Sequence, residues 1–249
     1  MPNNLYAFFL SSIAGLSTLI GFLFIYLKSD RVGLISKALG FASGVMFTIS
    51  LIDLIPSSLD LIIKEYKFIY AVILCLLGFL IGVILSSIID QKVEKSSKKG
   101  SKLYKLGIIT MLVIMMHNIP EGIATFITST NNIKLGIMLT IAITLHNIPE
   151  GISISIPIYY STNSKLKAFI YTLISGISEP IGAIVAYLFL SKYINNIILG
   201  LIYSCIAGMM INISINELYK ESINYNKKNA MLYFFIGSFI MFLNHLLFG

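Results

Sequence analysis

Apolar stretches of about 20 residues recur along the whole sequence, and they restrict the fold more than any other feature. A helix of this length crosses the roughly 30 Å hydrocarbon core of a bilayer, at about 1.5 Å per residue. The stretches are too long for the strands of a membrane barrel and lack period-two alternation. Only 12% of the 249 residues are charged, about half of what soluble domains carry. We therefore predict an all-α, polytopic membrane protein with a single transmembrane domain over residues 1–249.

Eight of these stretches are predicted to be transmembrane helices. They run over Leu5–Leu27, Leu34–Ile55, Phe68–Ile89, Leu106–Thr128, Leu135–Pro157, Leu166–Leu190, Ile194–Leu218 and Ala230–Phe248. No basic residue precedes the first stretch, so we expect a retained helix there rather than a cleaved signal peptide.

The basic residues indicate which loops face the cytoplasm. In or beside the loops after the first, third, fifth and seventh helices lie 14 of the 18 lysines and arginines. The positive-inside rule makes these loops cytoplasmic and both termini extracytoplasmic. The segment 90–105 is predicted to be a lysine-rich cytoplasmic loop between the third and fourth helices. The net charge of +7 is not accompanied by a nucleic-acid-binding motif, so we expect a lipid bilayer and no nucleic acid as partner.

The heptapeptide His-Asn-Ile-Pro-Glu-Gly-Ile occurs twice, starting at His117 and at His146. Each copy begins at the same depth in its predicted helix, and consecutive helices are antiparallel, so both copies reach the middle of the membrane together. In each copy the histidine and the glutamate stand one helical turn apart on the same face. The proline between them is expected to kink the helix, and the glycine lets a neighbouring backbone approach closely. Helices four and five are therefore predicted to be kinked and to bind metal.

Four side chains of the repeat form a candidate metal site. They are His117, Glu121, His146 and Glu150, a set of imidazoles and carboxylates that suits Zn²⁺ and also Fe²⁺, Mn²⁺ or Co²⁺. Ionisable groups at membrane depth are costly, which makes them a strong indication of function. The alternative is that these polar groups join helices through hydrogen bonds alone. Such a role does not require the same seven residues twice.

Further polar residues are predicted to extend this site. Glu179, followed by Pro180, is placed to join Asn118 and Asn147 around a second ion that shares Glu121 and Glu150. As a single buried glutamate it also fits a protonated structural residue. Asp53 lies near the outer end of the second predicted helix, as an outer ligand or an interfacial charge. Candidate ligands at the cytoplasmic end of the route are Asn212, Asn216 and Glu217.

These features resemble the ZIP (Zrt/Irt-like protein) family of metal permeases, most closely its short bacterial zinc-uptake branch. The resemblance covers essentially the whole chain. It depends on eight helices, external termini, the two heptapeptides, Ser-Gly-Ile-Ser-Glu-Pro ending at Pro180, Ala-Ser-Gly-Val-Met from Ala42 and Ala-Gly-Met-Met from Ala207.

The resemblance implies uptake of a divalent metal, with Zn²⁺ the leading candidate, into the cytoplasm through a binuclear site. One ion is held by His117, Glu121, His146 and Glu150, and the other by Asn118, Glu121, Asn147, Glu150 and Glu179. The metal is then cargo, and no prosthetic group is expected. The resemblance also favours a plasma (inner) membrane location in a prokaryote and a homodimer. The pairs Gly40/Gly44 and Gly78/Gly82 suit close packing within one bundle or between two chains equally well.

Two other functions use similar residues. A di-metal membrane enzyme also gathers carboxylates and histidines on four helices, but its motif is Glu-x-x-His rather than His-x-x-x-Glu with proline between. We expect a protein that is not an enzyme. A metal exporter or a proton-coupled antiporter would use the same ligands as an importer, and the sequence does not distinguish these directions.

Overall fold

The computed structural model describes residues 2–27, 30–96, 101–190 and 195–248. Within these ranges the chain forms no strand and eight helices long and apolar enough to cross a membrane, which confirms the predicted fold class. The helices, numbered α1 to α8, span Asn4–Tyr26, Arg31–Ile63, Phe68–Val93, Lys102–Asn131, Ile133–Thr162, Lys165–Leu188, Asn196–Tyr225 and Lys227–Leu247.

Two helices continue well past their predicted ends. The prediction ended α2 at Ile55 and α7 at Leu218, whereas they run to Ile63 and Tyr225. In α2 a π-helical turn, Ser50–Leu54, comes just before Pro56, and an α-helix resumes over Ile55–Ile63. In α7 a π-helical turn, Ser214–Tyr219, is followed by Lys220–Tyr225. The wider turns keep the helices continuous through sequences that resemble helix ends.

The predicted loop 90–105 is helical at both ends. α3 continues as a helix to Ser96, and α4 starts at Lys102, where the Ser101 hydroxyl oxygen accepts a hydrogen bond of 3.2 Å from the Tyr104 backbone N–H. This side-chain cap satisfies one of the free N–H groups of the first helical turn. The connection is therefore shorter than predicted, and its cytoplasmic location stays a prediction.

The helices pack as two groups of four. In the first, α1 contacts α4, α5 and α6, and α4 packs along both α5 and α6. In the second, α2 packs against both α7 and α8, and α7 also packs against α3. The most apolar 18-residue segment of α4 is 72% buried, compared with 22% in α3 and in α8. The heptapeptides therefore lie in the interior, while α3 and α8 lie at the periphery.

Both Gly-x-x-x-Gly pairs are used inside the chain. A Cβ atom on Gly44 would meet the Phe234 carbonyl of α8, and one on Gly82 would meet the Cys205 carbonyl of α7. Gly40 and Gly78 face α8 and α7 in the same way. Without side chains at these positions the paired backbones approach closely. Of the two arrangements that suited the sequence, the structure has packing within one bundle.

Candidate metal centre

Helices α4 and α5 bring three side chains of the repeat into direct contact. Glu121 Oε1 lies 3.0 Å from His117 Nε2, one turn earlier on α4. The same oxygen accepts a hydrogen bond of 2.9 Å from His146 Nε2 on α5. Ligand atoms from the three residues all lie within 4.8 Å of one another. One carboxylate oxygen therefore joins both imidazoles in the interior of the first four-helix group.

Glu150 completes the predicted set of four side chains from the opposite side of the site. Its Oε1 lies 3.8 Å from His117 Nε2. The centroids of the two imidazole rings lie 6.1 Å apart, and the ring planes are tilted by 42°. The site is shielded from solvent, since His117 and Glu150 are both only 1% exposed. Two imidazoles and two carboxylates thus converge at the level predicted from the repeat.

A second group of polar side chains lies beside the first. The Asn147 side-chain amide donates to Glu179 Oε2 at 3.0 Å and to the Ala14 carbonyl of α1 at 2.9 Å. The Asn118 amide donates to the Ser175 carbonyl of α6 at 3.2 Å. Both amides therefore use their N–H groups on neighbours, which leaves their oxygens directed elsewhere. The structure brings Asn147 and Glu179 together as predicted.

Many lone pairs in this region have no hydrogen-bond partner among the described residues. The unpartnered buried atoms include Asn118 Oδ1, Glu121 Oε2, Asn147 Oδ1, both carboxylate oxygens of Glu150, Ser175 Oγ and Glu179 Oε1. Buried polar groups in folded proteins are nearly always hydrogen-bonded, so a cluster of exceptions calls for a ligand. Helix–helix contact alone does not explain these atoms, because polar groups that join helices satisfy one another.

The glycine of each heptapeptide faces the backbone of a different helix. A Cβ atom on Gly122 would collide with the Glu179 carbonyl of α6, and one on Gly151 would collide with the Thr18 carbonyl of α1. These close approaches set the distance at which α6 and α1 stand from the ligand-bearing helices. Pro120 and Pro149 lie inside α4 and α5, which continue through them as helices. The predicted kinks stay a prediction.

Asp53 does not lie near the end of α2, as the sequence suggested. Because the helix continues to Ile63, Asp53 stands ten residues before its end, within the π-helical turn Ser50–Leu54. Its side chain is half-buried and accepts a hydrogen bond of 3.3 Å from the Ser57 hydroxyl. The predicted helix end at Ile55 is therefore corrected, while the choice between an outer ligand and an interfacial charge stays a prediction. π-helical turns are frequent at functional sites.

The candidate ligands of α7 include two asparagines that form hydrogen bonds with α3 and with each other. Asn212 donates to Ser86 Oγ of α3 at 2.8 Å, and Asn216 donates to Asn212 Oδ1 at 2.7 Å. This chain of hydrogen bonds ties α7 to α3, a structural role that the sequence did not indicate. Glu217 is half-buried and lies eight residues before the end of α7, deeper than predicted.

Asn216 and Glu217 line a cavity of about 380 Å³ at the end of the bundle where α3 ends and α4 begins. Its other charged lining residues are Asp90, Lys102, Lys105, Lys220 and Glu221. Lys102 Nζ and Glu221 Oε2 form an ion pair of 2.6 Å across it. Sequence reasoning missed Asp90, because it treated the segment 90–105 as a solvated loop, and Glu221, because it ended the seventh helix at Leu218.

Comparison with known proteins identifies the family. The family model described as ZIP Zinc transporter matches residues 86–245. The zinc transporter ZupT of Streptococcus mutans is 39% identical, with 97% of each chain aligned. Those of Oceanobacillus iheyensis and Clostridium perfringens are 38% and 35% identical, covering 94% and 100% of this chain. Since the family model matches more than half of the chain and these relatives align over nearly its full length, the chain belongs to the ZIP zinc transporter family.

Proposed function

We propose that this protein carries divalent transition-metal ions, with Zn²⁺ preferred and Fe²⁺, Mn²⁺ or Co²⁺ as further substrates, into the cytoplasm through the site between α4 and α5. The observation that carries the proposal is the buried cluster of His117, Glu121 and His146, whose ligand atoms lie within 4.8 Å of one another. Uncompensated ionisable groups at this depth are costly, and an ion that binds them offsets the cost. The relatives are named transporters, so the protein is a transporter rather than an enzyme.

The distances in this cluster suit a tetrahedral Zn²⁺ site. Zinc takes nitrogen and oxygen ligands at about 2.0–2.2 Å, which places ligand atoms about 3.3 Å apart on the edges of a tetrahedron. Glu121 Oε1 lies 3.0 Å from His117 Nε2 and 2.9 Å from His146 Nε2. Glu150 Oε1 lies 3.8 Å from His117 Nε2. These three separations are each within about 0.5 Å of that edge length.

A second ion is proposed beside the first. The unpartnered oxygens of Asn118, Asn147 and Glu179 are hard ligands of the kind that divalent metals accept. Glu121 and Glu150 each have a further carboxylate oxygen without a partner, which lets them bridge the two ions. This arrangement supports Glu179 as a ligand over a purely structural role, since its Oε1 has no protein partner among the described residues.

The route across the membrane is proposed from the charge distribution. With the basic loops in the cytoplasm, both termini are outside, in the plasma membrane of a prokaryote. Asp53 then lies on the outer half of α2, while Asn216 and Glu217 line the cavity at the cytoplasmic end of α7. Carboxylates on both sides of the histidine cluster can attract a cation as it enters and as it leaves. The proposal of a homodimer depends on the resemblance to the ZIP family alone, because both glycine pairs pack against helices of the same chain.

Direction is the property that separates import from export or antiport. Purified protein is reconstituted into vesicles, and its orientation is determined by protease access to the lysine-rich segment. Without a proton gradient, we expect ⁶⁵Zn²⁺ to enter the vesicles down an inward zinc gradient, with a faster initial rate in vesicles whose basic loops face the lumen. Accumulation that requires an opposing proton gradient would identify an antiporter and overturn the importer.

A further inference from the structure

An apolar groove of about 530 Å³ opens on the outside of the bundle, between α1 and α5 on one side and α2 and α8 on the other. Its lining side chains include Leu27, Leu145 and Ile240, which are 51%, 46% and 47% exposed in the isolated chain. In the membrane these surfaces contact acyl chains. A concave apolar surface of this kind holds one chain more closely than the flat faces of the bundle do.

A single positive charge stands at one end of this groove. Lys37 is half-buried in α2, six residues after the helix begins, and lines the groove together with Tyr233 of α8. The Lys37 ammonium lies 5.8 Å from the centre of the Tyr233 ring. Among the described residues no carboxylate pairs with Lys37. A lysine at this depth directs its ammonium toward the lipid headgroups, where an anion can approach it.

We propose that the groove binds one anionic phospholipid, whose phosphate pairs with Lys37 while an acyl chain follows the groove past Ile236 to Ile240. The apolar groove suits the acyl chain of such a lipid, and the Lys37 ammonium suits its phosphate. From Tyr233 to Ile240 the groove extends seven residues along α8, about 10 Å, from near the membrane surface toward its middle. An unpaired cation favours a net negative headgroup over a zwitterionic one.

The bound lipid would contact the helix that carries the metal ligands. Ile148, Pro149 and Ile152 line the groove, and all three belong to the second heptapeptide. The same turns of α5 direct His146 and Glu150 to the metal site. Lipid binding does not depend on the proposed transport. Any effect of the lipid on metal uptake does depend on the proposed transport function.

Native mass spectrometry of the purified, delipidated protein tests the headgroup. The protein is titrated with phosphatidylglycerol or with phosphatidylcholine of identical acyl chains. We expect one phosphatidylglycerol to bind about fivefold more tightly than phosphatidylcholine, the preference that one basic residue near the surface provides. Lys37→Ala should abolish this preference and Lys37→Arg should retain it. Lys227→Ala removes an exposed lysine at the same membrane face, outside the groove, and should have no effect.

A second pair of variants tests the groove. Ile236→Trp fills it and should remove the tightly bound lipid, whereas Leu232→Trp on the same helix lies outside it and should not. Equal binding of the two lipids by the wild type, or an unchanged preference in Lys37→Ala, overturns the proposal. So does retention of the tight lipid by Ile236→Trp. If that variant does not fold, the Lys37 series decides the question.

Discussion

Replacing Glu121 by glutamine is the sharpest test of the metal centre. Glu121 Oε1 stands 3.0 and 2.9 Å from the two histidine nitrogens, and its other oxygen is unpartnered and available to the second ion. Glutamine keeps the volume but offers one neutral oxygen instead of two charged ones. Replacing a residue that only supports a metal ligand lowers the metal affinity by about 10- to 100-fold. Loss of a ligand shared by two ions should therefore cost more than about 100-fold.

This loss can be measured as metal-dependent thermal stabilisation. At a Zn²⁺ concentration of about 100 times the wild-type Kd, binding stabilises the folded protein by about 2.7 kcal/mol. A variant with a Kd about 100-fold weaker gains only about 0.4 kcal/mol at the same concentration. Without metal, Glu121→Gln also loses the carboxylate that contacts both histidines, so the zinc-dependent shift is measured from each protein's own metal-free unfolding temperature. Uptake of ⁶⁵Zn²⁺ by this variant should be lost, as it should in Glu121→Ala and Glu150→Ala.

Glu65→Gln provides the matched control. Glu65 is exposed at the end of α2, where its carboxylate accepts a hydrogen bond of 2.9 Å from Asn196. The change removes the same charge outside the metal centre, and both stabilisation and uptake should match the wild type. Full metal-dependent stabilisation or wild-type uptake of Glu121→Gln at matched protein amounts would refute the assignment of this carboxylate.

Three further predictions follow from the same geometry. Glu179→Gln should weaken transport and lower the calorimetric stoichiometry from two ions to one, and complete loss of binding would contradict the division into two subsites. Gly122→Ala should reduce uptake and thermal stability, because its Cβ would collide with the Glu179 backbone carbonyl. Gly107→Ala in the same helix would meet mainly the Ile158 side chain and should cost less, so equal effects would argue against a backbone contact at Gly122. A cysteine replacing Ser97 should resist impermeant thiol reagents in intact cells while one added after Gly249 reacts, and the reverse pattern would invert the topology. Both of these positions lie outside the described residues.

The number of helices and the meeting of the two heptapeptides were predictable from sequence. Hydropathy determines which segments enter the bilayer, because no water is present there to satisfy a backbone that is not helical. Equal depth in two consecutive helices then brings His117 and His146 to one level. Glu179 could be placed near them because few carboxylates lie inside apolar segments.

The helix ends and the helix neighbours were not predictable in the same way. Asp53 and Pro56 together resemble the end of a helix, and nothing in the residue types shows that a wider turn lets α2 continue. The acceptors of the two asparagine amides are the backbone carbonyls of Ala14 and Ser175. Every residue has a backbone carbonyl, so the residue type does not indicate which carbonyl will accept these hydrogen bonds. That depends on how the helices pack.

The two heptapeptides are identical, yet they have different neighbours. The first copy meets α6 through Gly122 and Asn118, and the second meets α1 through Gly151 and Asn147. If each copy had adapted to its own surroundings, the two sequences would be free to diverge after duplication. In the proposed function both copies share the ion between them, and the cargo would then be the constraint on their identity. Because the two copies would then contribute equivalent ligands to one ion, variants for altered metal selectivity are best made in both copies at once.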